Sequence, residues 1–361
     1  MKDLRNITSQ FNIQGTVSDI RPLGNGLIND TFLVSTVEFD TPDYVLQRIN
    51  HHIFQNVDLL QDNIEKVTRH IRSKLQAIGD DDIDRKVLTF VFTQNGKTYH
   101  FDGESYWRMS IFIARTQTID VVNESTALSA GLAFGRFEAM LADIPDQLGE
   151  PIPHFHDIEL RVKQLEDAMS DNKAGRLSQV QDICKQIIDV SPSMSAASEW
   201  LRNGFLPTRI CHCDPKVNNI LFNEQGEVLC VIDLDTVMPS HIYSDYGDFL
   251  RTAANYTNED DADLNNVGFN VLIFKAFTKG YLQSAQSFLT DEEIAKMPYG
   301  AALFPYMQCI RFLADYLNGD TYYKIAYPEH NLVRAKNQLK LYQDVEAHSD
   351  EMNRFIEDYI P

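Results

Sequence analysis

The chain has 361 residues, more than one hydrophobic core usually serves, so two lobes are expected. Apolar residues make up 43% and charged residues 23%, which excludes a disordered chain. The formal net charge of −20 repels phosphate backbones, so nucleic acid is not an expected partner, and an anionic ligand would need local cations or a metal.

The opening MKDLRNITSQF lacks the charged-then-apolar pattern of a secretory signal, and no run approaches the ~18 apolar residues of a membrane span. Five cysteines without framework spacing read as reduced thiols. A cytoplasmic chain with no membrane contact is the expectation.

In chain order, short apolar runs at 31–34 and 44–46, joined by a polar turn, predict two strands. Leu59, Ile64, Val67, Ile71 and Leu75 form a stripe that predicts a helix over 58–78. Segments 87–92 and 97–101 flank Asn95-Gly96, whose tolerance of positive φ predicts a hairpin, and 107–113 predicts a further strand. Beyond about residue 115 the pattern turns helical, with helices expected at 125–141 and 156–169. Strands at 219–222 and 228–232, around Glu224-Gln225-Gly226, interrupt it. The expected fold class is α+β, with a strand-rich lobe over 1–114 and a helical lobe over 115–361.

The stretch Cys211-His212-Cys213-Asp214-Pro215-Lys216-Val217-Asn218-Asn219 has the form H-x-D-x-K-x-x-N, and Ile232-Asp233-Leu234-Asp235 follows after a predicted hairpin. Phosphoryl transfer needs a carboxylate beside the attacking hydroxyl and metal ligands that do not compete for its proton. Asp214 suits the first role. Asn219 and Asp233 offer oxygens to Mg²⁺, a hard cation, and Lys216 is placed to reach the transferring phosphate. The Cys211/Cys213 pair has no partner pair, so structural zinc is not expected, and His212 is expected to hold the loop by hydrogen bonding.

These two ordered motifs resemble the catalytic loop and metal-binding Asp of the protein-kinase-like superfamily. The lack of a Gly after Asp233 makes the chain similar to the aminoglycoside phosphotransferase and choline kinase branch. That resemblance implies a bilobal fold and ATP with Mg²⁺ as cofactors. Gly24, Asn25 and Gly26, between two predicted strands, can bring backbone N–H groups to phosphates; no Walker loop occurs.

The strand at 44–49 departs from the kinase pattern. The slot for a phosphate-pairing Lys reads Gln47, with Arg48 beside it on the opposite face. Both remain candidate cofactor contacts, and Glu65 matches the partner Glu only loosely.

Gly24-Asn25-Gly26-Leu27-Ile28-Asn29-Asp30-Thr31, Ile152-Pro153-His154-Phe155-His156-Asp157, Asp245-Tyr246-Gly247-Asp248 and the segments around Arg311 and Tyr327 resemble the N-acetylhexosamine 1-kinases, in order over about residues 20 to 340. The resemblance implies that the acceptor is the anomeric hydroxyl of GlcNAc or GalNAc, that Asp214 is the base, and that Arg311 and Tyr322 line the sugar pocket. Leu27 stands where such a relative carries His.

From spacing alone, Arg311 and Asp315 would form an i,i+4 ion pair and Tyr322 a packing aromatic. His154 and His156 could cap the following helix, and Asp245 and Asp248 read as structural. Two other readings stay open: a related kinase acting on choline, homoserine or an aminoglycoside, and a non-catalytic kinase-like binding protein.

Overall fold

The computed structural model describes residues 4–24 and 29–360. The chain divides into two compact units, one of residues 1–118, 143–153 and 220–238, the other of residues 119–142, 154–219 and 239–361. The first unit is therefore not one continuous stretch, because two later segments return to it.

Its main sheet has five antiparallel strands: β1 (Val17–Pro22), β2 (Asp30–Thr36), β3 (Tyr44–Ile49), β4 (Tyr99–Phe101) and β5 (Tyr106–Ile111), in the order β1-β2-β3-β5-β4. Side chains alternate across a strand. Tyr44 and Leu46 of β3, Val34 of β2, and Trp107 and Met109 of β5 accordingly share one core with Ile7, Phe11 and Val91. Gln47 lies opposite Arg108 in the β3–β5 register.

The Val57–Ala77 helix is N-capped by Asn56, which accepts from Leu59 N, and buries Leu60, Ile64, Val67, Ile71 and Leu75. Leu60, rather than the expected Leu59, begins the fully buried stripe; Leu59 instead packs on Gly149.

The expected hairpin at Asn95-Gly96 is corrected. The turn exists, with Gly96 at φ +76° and its N–H on Thr93 O, but residues 87–92 are not a strand and pair with β5 through an isolated Phe90–Ser110 bridge. Asp102-Gly103 makes the hairpin that pairs β4 with β5. The Asp102 carboxylate accepts from Glu104 N, Ser105 N and Trp107 Nε1 at 2.7–2.9 Å, and Gly103 supplies the positive φ. A three-stranded sheet of Thr116–Gln117, Ile220–Asn223 and Val228–Val231 completes this unit.

The second unit is helical. Its longest helix, Met297–Asn318, is buried nearly all round, as its apolar sequence requires. The Glu124–Leu141 and Val271–Ala285 helices cross so closely that backbone meets backbone. A Cβ on Gly131 would lie 2.2 Å from Phe277 O, and one on Gly280 would lie 2.1 Å from Leu128 O. Only glycine fits there. Among the described residues, no helix is long and apolar enough to cross a membrane.

Candidate active site

In the second unit, the motif loop follows the strand Arg209–Cys211 and ends in the 3-10 turn Val217–Asn219. Cys213 adopts φ +62°, unusual for a residue with a side chain. One carboxylate holds that backbone in place: Asp245, in the first turn of the Tyr243–Ala253 helix, accepts from His212 N at 2.7 Å and from Cys213 N at 2.6 Å. His212 is fully buried, with Phe134 and Phe137 edge-on to its ring, and its Nδ1 accepts from Asp214 N at 3.3 Å.

Asp214 is thus presented by a rigid loop, half-buried, with Lys216 Nζ 2.7 Å from Oδ1 and 3.0 Å from Oδ2. Burial works against the charge on Lys216, but Asp214 and Asp248 outweigh it and raise the ammonium's pKa. Asn219 Nδ2 donates to Asp214 O at 2.9 Å, leaving its amide oxygen as the atom a hard cation could use. The loop therefore brings Asp214, Lys216 and Asn219 together.

The same unit gathers Arg311, Arg161 and several rings. The Arg311 guanidinium lies 5.4 Å from the Phe155 ring, 5.9 Å from Tyr322 and 5.6 Å from Tyr323, and donates to Gln308 Oε1 at 3.1 Å. The expected Arg311–Asp315 ion pair does not form. Asp315 instead accepts from the backbone N–H groups of Thr321, Tyr322 and Tyr323 at 2.8–2.9 Å, and from Asn331. Three turn amides on one buried carboxylate outcompete a half-exposed helix pair. Tyr322 is 66% exposed, so it is not a core-packing aromatic.

Arg161 donates to the carbonyls of His154 and Phe155, and burial, then the nearby Arg311, lower its pKa. Asp157, not either histidine, caps the Ile158–Asp171 helix. Burial pushes His156 down to about 3, which keeps it neutral, and its Nδ1 is buried with no hydrogen-bond partner. Asp248 is taken by Arg251 at 2.6 Å. Among the described residues, neither Arg161 nor Arg311 forms an ion pair.

In the first unit, Gly24 has φ +71° and open space where a Cβ would stand, while Asn25, Gly26 and Leu27 lie outside the described residues. Gln47 and Arg48 face opposite ways, as strand alternation requires. Arg48 pairs with Asp30 at the surface. Gln47 Oε1 accepts from Arg108 Nε at 2.9 Å, and its amide donates to Thr31 Oγ1. Arg108 in turn forms a buried ion pair with Asp235.

Asn29 joins this network, donating to Asp235 Oδ2 at 2.7 Å and accepting from Asn50 N at 2.9 Å. Glu65 accepts from Thr98 rather than from a cation on β3. Sequence reasoning missed Arg108 and Asp235. The available signal was an arginine between Trp107 and Met109 in an apolar strand, since a buried charge requires a partner. Asp233 is exposed at φ +59°, just before the 3-10 turn Leu234–Thr236.

A strand-rich unit carrying an Asp-x-Asp segment and a helical unit carrying a braced H-x-D-x-K-x-x-N loop define a kinase-like phosphotransferase. The sequence profile of the phosphotransferase enzyme family matches residues 19–270, and the chain belongs to that family. Solved structures share the fold. An aminoglycoside phosphotransferase from Alicyclobacillus acidocaldarius is similar at TM-score 0.63 and 13% identity, over 98% of this chain and 96% of that one. A choline kinase from Cryptosporidium parvum gives TM-score 0.57 and 14% identity, over 96% and 95%. An amicoumacin kinase in complex with AMP-PNP, Ca²⁺ and Ami gives 0.56 and 14%, over 99% and 93%.

Proposed function

We propose that this phosphotransferase moves the γ-phosphoryl group of ATP to the anomeric hydroxyl of an N-acetylhexosamine, GlcNAc or GalNAc, giving the sugar 1-phosphate. The observation that carries the reading is the charge around Arg311. Two guanidiniums, Arg161 and Arg311, lie among Phe155, Tyr322 and Tyr323 with no ion-pairing carboxylate among the described residues. Asp248 and Asp315, the acids that could have received an ammonium group, are committed to Arg251 and to turn amides. Such a surface repels choline or a polyamine antibiotic and suits a neutral acceptor rich in hydroxyl and carbonyl oxygens.

In this reading Asp214 accepts the proton of the attacking hydroxyl, and Lys216 holds that carboxylate in place and meets the transferring phosphate. Residues 1–114 would hold the nucleotide and residues 115–361 the sugar. Gly24, Asn25 and Gly26 would offer backbone donors to the phosphates, with either Gln47 or Arg48, which face opposite ways, as a further contact. The donor chemistry fits magnesium: a side-chain amide oxygen at Asn219 and a solvent-accessible carboxylate at Asp233, both hard ligands. When bound, the ion would neutralise phosphate charge.

The test is ATP consumption by purified protein with GlcNAc, GalNAc, choline, homoserine and an aminoglycoside in turn, with Mg²⁺ supplied. Turnover with an N-acetylhexosamine is expected. Turnover confined to a cationic acceptor would overturn the reading.

A further inference from the structure

Beneath the motif loop lie acidic groups that the phosphoryl-transfer reading does not use. Glu138, on the Glu124–Leu141 helix, is 1% exposed. The glycine crossing at Gly131 and Gly280 draws this helix onto the Val271–Ala285 helix, and Tyr281 Oη donates to Glu138 Oε2 at 2.5 Å. The other oxygen, Oε1, is buried with no ordinary donor. Glu138, Asp245 and Cys211 each bring a ligand atom to this place, and these atoms all lie within 4.8 Å of one another. Two carboxyl groups this close and shielded from water are not both stable as anions, so one of them is expected to hold a proton.

We infer that Glu138 remains a protonated carboxylic acid across neutral pH, donating its hydrogen to Asp245, and that it is a positioning residue for the loop carrying Asp214. The location of the proton follows from counting donors. Asp245 already accepts from His212 N and Cys213 N, so negative charge is better supported there than on Glu138, whose single donor is Tyr281.

Among the described residues, the cation whose charge reaches Glu138, Arg209, is already paired with the Glu293 carboxylate. Cys211 and Cys213 are thiols whose ionisation burial pushes well up, and the His212 ring lies edge-on to Phe134 and Phe137. Burial, then the Asp245 charge, accordingly raise the Glu138 pKa well above the ordinary value. A metal ion in the same place fits less well. Cys211 Sγ donates to His241 O at 3.3 Å, whereas a coordinating thiol would be deprotonated.

The mechanical consequence is a chain of hydrogen bonds from Tyr281 through Glu138 and Asp245 to the two amides preceding Asp214. Glu138→Gln preserves both ends, because its amide NH₂ donates to Asp245 and its carbonyl accepts from Tyr281. Glu138→Ala leaves both partners unsatisfied.

The experiment is infrared difference spectroscopy of wild type against Glu138→Gln from mildly acidic to mildly alkaline pH. Steady-state kinetics of both variants and metal analysis of the purified protein accompany it. A protonated-carboxyl C=O band present in wild type and absent in Glu138→Gln is expected throughout. Glu138→Ala should lose about tenfold or more in kcat with the ATP KM within about twofold, and Glu138→Gln should recover kcat to within about threefold.

The inference is overturned if the band is missing or unchanged by Glu138→Gln. Wild-type kcat in a folded Glu138→Ala protein would also overturn it, as would a stoichiometric metal that Glu138→Gln releases. The role assigned to the loop rests on Asp214 being the catalytic carboxylate. The infrared arm needs no acceptor and no turnover, so a wrong acceptor would silence the kinetics while leaving the band in place.

Discussion

Replacing Arg311 with Ala tests whether the aromatic-lined cation recognises the acceptor. Among the described residues the side chain makes one hydrogen bond, to Gln308 Oε1, and lies over three rings at 5.4–5.9 Å. At a half-exposed site each ring contact is worth about 0.5–1 kcal/mol, and neighbours that can relax recover part of it, so the fold should lose roughly 1–2 kcal/mol. A charge-assisted hydrogen bond to a substrate oxygen is worth about 1.5–3 kcal/mol, or ten- to a hundredfold in kcat/KM. The two effects separate by measurement. Thermal unfolding reads the first, and steady-state kinetics with GlcNAc and GalNAc read the second. Calorimetry should find the ATP dissociation constant within about threefold of wild type, a change too small for a lost charged contact. If Arg311→Ala loses stability but keeps its sugar kinetics, the guanidinium only packs the rings, and the neutral-acceptor argument fails.

Asp214→Asn should lower kcat by about 10²–10⁴ with nucleotide binding retained; near-normal turnover with chemistry limiting would exclude a general base there. Excess EDTA should abolish turnover, and full activity in its presence would refute a metal at Asn219 and Asp233. Arg108→Met should destabilise the protein by about 3–5 kcal/mol by stranding Asp235, and adding Asp235→Asn should restore part of that loss in urea denaturation. The proton on Glu138 predicts a pH slope. The folded acid keeps its proton above the ordinary pKa of 4.5 while the unfolded one does not. Its contribution is therefore full below 4.5 and declines as pH rises, by up to about 1.4 kcal/mol per unit, and the decline should vanish in Glu138→Gln. His241, pushed down by burial from 6.5 to about 4, acts in the opposite direction, its contribution being complete above 6.5 and lost as pH falls through 4.

The motif loop was legible because its chemistry is compressed into nine consecutive residues, and the Val57–Ala77 helix because its buried stripe repeats at helical spacing. Contacts between distant residues were not. Arg108 and Asp235 are 127 residues apart, and nothing in the local pattern of either announces the other. The hairpin was assigned to Asn95-Gly96 because Asn-Gly favours such turns, whereas the adjacent Asp102-Gly103 had a carboxylate able to gather three N–H groups. The Arg311–Asp315 spacing correctly implied proximity along a helix. It could not disclose that a turn arriving from residues 321–323 would claim the carboxylate first. Glu138 carried no signal either, since an acid on a helix is ordinarily a solvated one.

The Asp315 clamp grips the 321–323 turn through three main-chain amides, with one longer bond from the Thr321 hydroxyl, so it does not depend on the side chains at 322 and 323. Apart from proline, which lacks the amide, any residue at Tyr322 or Tyr323 leaves the clamp intact. The turn is in effect an interchangeable cassette beside Arg311, through which acceptor preference could drift over evolutionary time or be reshaped by a small combinatorial library. Structure-preserving variation of this kind is one physical route by which a single phosphotransferase scaffold could diversify its acceptors.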